Sequence, residues 1–371
     1  MLLHNIPYLD ASLNVREGVL ASTLHLSGET VLTPDTHVAY FVGDFPHRKT
    51  GEPIQQLRHQ DAPFPLGPDV VADRSFSIKP PEGYANYYDK LSTYANIISG
   101  PAQSLSAEYT PKRFIPVKAD ESEAVFEYID TASSRAGIAH LSEKLAAQKV
   151  AIVGLGGTGS YILDLLVKCP IREIHLFDGD KLLSHNAFRM PGCASLEELE
   201  RQSFKVEYFE RFYSKMRRGL FAHPIFISDD NLSVLEGSDF VFVTMDGGST
   251  KKSLLSYLES EGIDYIDCGI GLEVVGDMIA GQVRTTTSLV GHREHVWLGA
   301  IPMSDEDVDN AYSRNIQIAD LNALNAALAV IRWKRLRGFY LDLEQELQCI
   351  YPIDGNMIIN DIRPNDLGSA K

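Results

Sequence analysis

KVAIVGLGGTGSYILDLL, residues 149–166, passes from an unbroken apolar run through a glycine-rich turn into a helical pattern. A short apolar run without alternation is what a strand covered on both faces requires. Gly154, Gly156 and Gly159 satisfy the spacing G-x-G-x-x-G. In that arrangement one glycine makes the tight turn and another lets the backbone approach a phosphate. The third lets helix and strand pack closely, and the helix N-terminus attracts negative charge. Asp178 ends the next apolar run, EIHLFDGD, where a ribose-binding carboxylate belongs. The stretch predicts a nucleotide site and leaves the nucleotide open.

Further along, DFVFVTMD and DYIDCG repeat the strand pattern with helical stretches between them. Alternating strands and helices predict an α/β fold, a doubly wound, Rossmann-like, mostly parallel sheet. IAGQVRTTTS alternates and predicts an added strand. NIQIADLNALNAALAVIRWKRLRG predicts a long amphipathic helix, with Leu321, Leu324, Leu328 and Ile331 as its apolar stripe and Gly338 at its end.

Before this region the texture differs. VLASTLHLSG and THVAYFVGDF are rich in β-branched and aromatic residues bounded by Gly, Pro and Asp, as strands are. KPPEGYANYYDKLSTYANIISGPA predicts a turn and a helix, with Pro80 and Pro81 before it and Gly100 and Pro101 stopping it. Tyr84, Tyr87, Tyr88 and Tyr94 suit core and interface. Residues 106–123 are polar, carry two prolines, and predict a linker. The expected division is a smaller β-rich α+β domain at 1–125 and a second domain at 126–371.

Composition narrows the function classes. The chain has 371 residues and a net charge of −16, which argues against non-specific nucleic-acid binding. Cys169, Cys193, Cys268 and Cys349 form no C-x-x-C pair, so neither a four-cysteine zinc nor a disulfide framework is expected. His292 and His295, in HREH, read as exposed loop residues rather than a zinc site. No apolar run approaches the roughly 20 residues that span a bilayer. The expectation is a soluble, cytoplasmic protein with no membrane partner.

The glycine loop alone fits an NAD- or FAD-linked oxidoreductase. The residues after it fit that less well. Asp178 is followed by Asp180, Asn186 and Arg189, a set suited to gripping a triphosphate. Here the chain resembles the ThiF/MoeB superfamily of adenylating enzymes, which activate ubiquitin-like and sulfur-carrier proteins. The segments that carry the likeness are GLGGTGS (154–160), DGD (178–180), HNAFR (185–189), KVE (205–207) and VTMDGGSTK (243–251). It extends more weakly over 130–340 and does not cover the first 125 residues.

The resemblance implies residue roles. Gly154, Gly156, Gly157 and Gly159 form the wall of an ATP site, with Gly157 letting the backbone close on phosphates. Asp178 binds the ribose, with Asp180 beside it. Asn186, Arg189 and Lys205 contact the phosphates and offset charge in the transition state. Asp246 holds magnesium near the α-phosphate. Arg135 reaches into the partner subunit's ATP site, which implies a homodimer. Some positions depart from the family pattern: Asp246 is followed by Gly247 rather than Asn, Arg189 by Met190, and the next basic residue is Lys251 or Lys252.

The implied reaction is attack by the C-terminal carboxylate of a ubiquitin-like protein on the α-phosphorus of ATP. Pyrophosphate leaves and an acyl-adenylate forms. No general base is needed, because a carboxylate is already ionised at neutral pH. Relatives pass the acyl group to a cysteine, but residues 276–316 contain none. Cys193, Cys268, Ser288, Ser304 and Ser313 are the acceptors to weigh, beside direct transfer to a partner. Cys268 also reads as a small core residue. The whole-chain pattern resembles bacterial proteins of ubiquitin-like conjugation pathways, so residues 1–125 are expected to recruit a conjugating enzyme or the ubiquitin-like protein. A non-catalytic adaptor that keeps the fold is the remaining alternative.

Overall fold

A computed structural model describes residues 1–27, 30–67, 70–112, 124–128, 130, 132–133, 136, 138–147, 149–246, 248–303 and 316–362. Two units divide the chain: Met1–Glu123 with Tyr128–Glu143, and Ala124–Glu127 with Lys144–Lys371. Most of the expected linker, 113–123, lies outside the described residues.

In the first unit, β1 (Leu2–Leu9), β2 (Val15–Ala21), β5 (Val38–Val42), β6 (Arg58–Gly67) and β7 (Val70–Ser77) form an antiparallel sheet, ordered β1-β2-β5-β7-β6. Strands β3 (Leu26–Ser27) and β4 (Thr30–Val31) pair separately. Helix α1 (Tyr87–Gln103) starts at Asn86, whose side chain accepts the Asp89 N–H at 2.8 Å. It does not stop at Gly100 and Pro101 as expected. Pro101 lies inside the helix, which runs one further half-turn to Gln103. Leu91, Tyr94, Ala95 and Ile98 of α1 share a core with Ile6, Leu20, Phe41 and Phe76 of the sheet. Tyr87 and Tyr94 are core, whereas Tyr88 is exposed. A short turn of helix, α2, follows at Ala139–Ser142.

The second unit is built on β8 (Lys149–Val153). Val150 and Ile152 enter one core with Ile162, Leu166 and Trp333, and Ala151 and Val153 enter another with Leu254 and Leu258. Burial on both faces is why the run carries no polar alternation. Strands β9 (Glu173–Phe177), β10 (Leu220–His223), β11 (Phe240–Val243), β12 (Tyr265–Val275), β13 (Met278–Ser288), β14 (Gln348–Pro352) and β15 (Ile359–Ile362) complete an eight-stranded sheet. Its order is β10-β9-β8-β11-β12-β13-β14-β15, parallel through β12 and antiparallel beyond it. The chain moves outward from β8 through β9 to β10, then returns to the other side at β11. The crevice beyond the carboxyl ends of β8 and β11 is therefore the topological switch point, where open α/β sheets bind ligands.

Helices α3 (Gly157–Leu166), α6 (Lys205–Tyr213) and α8 (Ala319–Leu336) cover one face, and α7 (Ser249–Ser260) the other. The short helices α4 (Ser184–Ala187) and α5 (Leu196–Glu200) lie between β9 and α6. Helix α8 buries a different face from the one expected. Asn322, Asn325, Ala326, Ala329, Val330 and Trp333 are buried, while Leu321, Leu324 and Leu328 are half-buried and Ile331 is exposed. The helix lies against the glycine-loop helix, where small and amide side chains permit close approach and leucines would not. Among the described residues, no helix is long and apolar enough to cross a membrane.

Candidate active site

The glycine loop leaves β8 with Gly154 at φ +92°, a backbone state that favours glycine. A β-carbon there would also press on the Thr244 carbonyl at 3.0 Å. At Gly159 it would stand 2.0 Å from the Gly154 carbonyl oxygen, so this glycine lets α3 close on the loop. Thr244, just past β11, donates its hydroxyl to the Gly154 carbonyl at 2.6 Å. The loops after β8 and β11 are thereby tied together.

Gly156 and Gly157 differ in purpose. At Gly156 the nearest atom to an added β-carbon is 4.0 Å away, so the loop is open on that side. At Gly157 a β-carbon would meet the Asn322 amide at 2.2 Å. Its missing side chain makes room for α8. Asn322 Oδ1 accepts the Thr158 hydroxyl at 2.9 Å, and its buried Nδ2 has no hydrogen-bond partner. Gly156 caps α3 without a side-chain hydrogen bond, so the first N–H groups of the helix have no capping side chain.

Asp178 is buried. Its Oδ2 accepts the Leu155 N–H at 2.6 Å and its Oδ1 the Asp180 N–H at 2.8 Å. It braces the glycine loop from the end of β9. Lys205, buried at the start of α6, places Nζ 2.6 Å from Asp180 and 3.5 Å from Asp178. The glycine loop, Asp178, Asp180 and Lys205 thus form one connected cluster. Asn186 is buried in α4, where its Oδ1 accepts the Leu183 N–H at 2.9 Å and shapes the turn. Arg189 follows, half-buried, with its Nε buried and unbonded. Among the described residues, no hydrogen bond joins the Asn186 or Arg189 side chain to the glycine loop. Asp246 is exposed beyond β11 and has no ion-pair partner among them. Arg135 and Gly247 lie outside the described residues.

Of the acyl acceptors weighed from sequence, two are enclosed. Cys268 is 7% exposed, and burial pushes its thiol far above the ordinary range. Ser288 is fully buried and donates to Glu259 at 3.3 Å. Cys193 is exposed. Ser304 and Ser313 lie outside the described residues. His295 is buried as well, which corrects the expectation of a solvated loop histidine.

Phe226, Asp267 and Asn322 had no sequence signal tying them to the site. The Phe226 ring, 65% exposed, lies 2.6 Å from where a Gly179 β-carbon would be, against the turn between Asp178 and Asp180. Lys251 is buried and pairs with Asp267 at 2.5 Å, while Lys252 is exposed. Burial alone would raise the Asp267 carboxyl, but the Lys251 and Arg284 charges overcome it and hold the group below the usual range. Asn322 and Asp267 carry no motif, because each acts by proximity across long sequence separations.

The residues present fit a nucleotide. The loop is open at Gly156, α3 has no capping side chain, and buried nitrogens of Asn322 and Arg189 are unpartnered. They fit a phosphate-bound magnesium in a limited sense. That ion takes one or two carboxylates plus phosphate oxygens and water, and Asp246 offers one. Among the described residues, no three His, Cys, Asp or Glu side chains converge as a metal site.

Residues 131–292 match the ThiF family and residues 1–131 a domain of unknown function, DUF6791. Members of the ThiF family are ATP-dependent adenylyltransferases. The chain is 30% identical over 153 residues to tRNA threonylcarbamoyladenosine dehydratase 2 of Saccharomyces cerevisiae, covering 39% of this chain and 33% of that protein. It is 32% identical over 129 residues to ubiquitin-like modifier-activating enzyme 5 of Caenorhabditis briggsae, covering 31% and 29%. The chain thus spans a third or less of the length of these relatives. The solved structure of E. coli MccB with MccA matches with a TM-score of 0.48 and 20% identity, over 75% of this chain and 83% of that one.

Proposed function

We propose that this chain, whose residues 131–292 are a ThiF-family domain, adenylates the C-terminal carboxylate of a ubiquitin-like protein. The observation that carries the reading is the glycine loop at the switch point. It is open at Gly156 and tied through Asp178 to Asp180 and Lys205. The ubiquitin-like modifier-activating relatives supply the substrate class.

In this reading ATP lies along the loop with its phosphates at the N-terminus of α3. The exposed Phe226 ring offers a face for the adenine. Asp178 keeps the loop in shape and presents remaining lone pairs to the ribose. Lys205 shifts from Asp180 toward the phosphates, and Arg189 meets them with its unbonded guanidinium edge. The carboxylate oxygen attacks the α-phosphorus, the bond to the bridging oxygen breaks, and pyrophosphate leaves with the electron pair. Two anions must be brought in line, so charge neutralisation and positioning are the protein's main contributions. Magnesium held at Asp246 supplies further neutralisation when bound. Arg135 reaches the site of a second copy, which makes the active form a homodimer. Residues 1–125 recruit the carrier or a conjugating enzyme. Among the described candidates Cys193 remains open to accept the acyl group.

ATP–pyrophosphate exchange with purified ubiquitin-like proteins tests the proposal. Exchange that depends on the carrier's free C-terminal carboxylate, and that falls at least about a hundredfold in Arg189→Ala and Asp246→Ala, is expected. Exchange with no candidate carrier, or unchanged exchange in both variants, overturns it.

A further inference from the structure

The antiparallel end of the sheet holds a groove of about 680 Å³ apart from the nucleotide loop, with Gln282, Arg284, His295, Leu298, Gln348 and Ile350 among its lining. Strand register puts Arg284 opposite Ile350 on β14, and opposite Gly269 on β12. Gly269 has no side chain where the Arg284 guanidinium lies, 2.7 Å from the position of a β-carbon.

Among the described residues, the charges behind this wall do not balance. Asp267 is fully buried and serves two cations, Lys251 at 2.5 Å and Arg284 at 2.7 Å. Both are themselves more than nine-tenths buried. Among the described residues, no second carboxylate lies within ion-pair distance of either. Glu259 is committed elsewhere, to Tyr265, Ser288 and the Trp297 indole. Among the described residues one positive charge is left over, and Arg284 is where it meets the groove. A buried surplus charge is costly, and an anion seated against Arg284 removes that cost.

His295 adds a second demand. It is 3% exposed and donates Nε2–H to the Thr287 carbonyl at 2.9 Å. This leaves Nδ1 as an acceptor, and it is buried with no partner. A simple anion answers Arg284 alone. A peptide with an acidic side chain answers both, with a carboxylate for Arg284 and a backbone N–H for His295. Leu298 and Ile350 supply apolar walls for its other side chains.

We propose that the Arg284–His295 groove binds an acidic peptide segment, with an Asp or Glu carboxylate on Arg284 and a main-chain N–H on His295. Resting on the adenylation reading, that segment belongs to the activated substrate and makes Arg284 a specificity-determining residue. Lys251 links the two places, since its Nζ also donates to the Met245 carbonyl at 3.4 Å, one residue before Asp246.

The test uses the full chain without ATP, so it stands or falls independently of adenylation. Two fluorescein-labelled Gly/Ser decapeptides, one with a central Glu and the other with Gln there, are compared by fluorescence anisotropy. The Glu peptide is expected to bind at least about tenfold tighter. The preference should vanish in Arg284→Met and persist in part in Arg284→Lys. His295→Phe should weaken both peptides alike. Should Arg284→Met fail to fold, Leu298→Glu, at a position 82% exposed, places a competing carboxylate on the groove wall and should also remove the preference. Equal binding of the two peptides, binding of neither, or a preference unchanged in both Arg284→Met and Leu298→Glu overturns the proposal.

Discussion

The missing side chain of Gly157 is occupied by Asn322: a β-carbon at Gly157 would stand 2.2 Å from Asn322 Nδ2. The contact joins the glycine loop to a helix far along the sequence. Asn322 is 1% exposed and held by Thr158, so it has little room to yield. Gly157→Ala should therefore destabilise the fold by about 1–3 kcal/mol through overpacking. Asn322→Ala should recover part of that loss in the double variant. A double-mutant cycle of thermal unfolding measures the coupling, and additive effects would mean that the two residues do not share this space.

The same pair shows what the sequence could and could not reveal. The apolar run 149–153, the glycine spacing and Asp178 depend on local rules, namely strand burial, turn geometry and a carboxylate at a strand end. They led to the parallel sheet and to a nucleotide site at its glycine turn. Strands β10, β14 and β15 had no clear local signal, since four or five residues at a sheet's periphery carry little pattern. Asn322 and Asn325 misled in a further way. Buried amides break an apolar stripe, so leucine periodicity on α8 pointed to the neighbouring face. The Lys251–Asp267–Arg284 cluster was invisible because its members lie on three elements and meet only in space.

Gly156 should behave in the opposite manner to Gly157. A β-carbon at Gly156 would meet nothing nearer than 4.0 Å. Gly156→Ala should leave the thermal midpoint near that of the wild type. The added methyl would instead project into the open side of the loop. ATP affinity, measured by calorimetry, should fall at least about tenfold, or about 1.4 kcal/mol. Normal affinity would show that phosphates do not lie against this residue.

Phe226 should affect nucleotide binding more than turnover. Base–aromatic stacking contributes about 1–3 kcal/mol by alanine substitution. Because the ring is mostly exposed, its removal should cost little stability. Phe226→Ala should raise KM for ATP by about tenfold with kcat nearly unchanged, and Phe226→Trp should restore it. A fall in kcat at constant KM would place the adenine elsewhere.

Asp267 makes stability sensitive to acid. Its carboxyl is held below the ordinary value in the folded state, so the stability it contributes is fully present above about pH 4. That contribution is lost as pH falls through the lower, folded-state value. Asp267→Asn should lose about 3–5 kcal/mol at neutral pH, because two buried cations are left unbalanced. Urea unfolding between about pH 7 and pH 3 should show the variant with a shallower acid limb than the wild type. Parallel limbs would assign acid sensitivity to other carboxylates.

Lys90 offers a prediction of opposite sign in the N-terminal unit. It is fully buried, its Nζ donates to Ser22 Oγ at 2.8 Å, and burial lowers its pKa from 10.5 to about 8, a shift that Asp35 partly opposes. At neutral pH the folded state must hold a buried charge that the unfolded chain exposes to water. The unfolded state binds more protons between the two pKa values, so stability rises with pH through that window. The penalty is fully present below the folded value of about 8 and is relieved as pH approaches 10.5. Lys90→Met keeps the volume, and Ser22 retains its bond to the Thr23 carbonyl. The substitution should stabilise the protein at neutral pH by on the order of 2 kcal/mol, the shift being worth about 1.4 kcal/mol per pH unit less the lost hydrogen bond. Thermal unfolding followed from neutral to alkaline pH should show the advantage of the variant shrinking above pH 8. A variant that is less stable than the wild type at neutral pH would mean that the ammonium is stabilised where it lies and that its charge belongs to the working form of this unit.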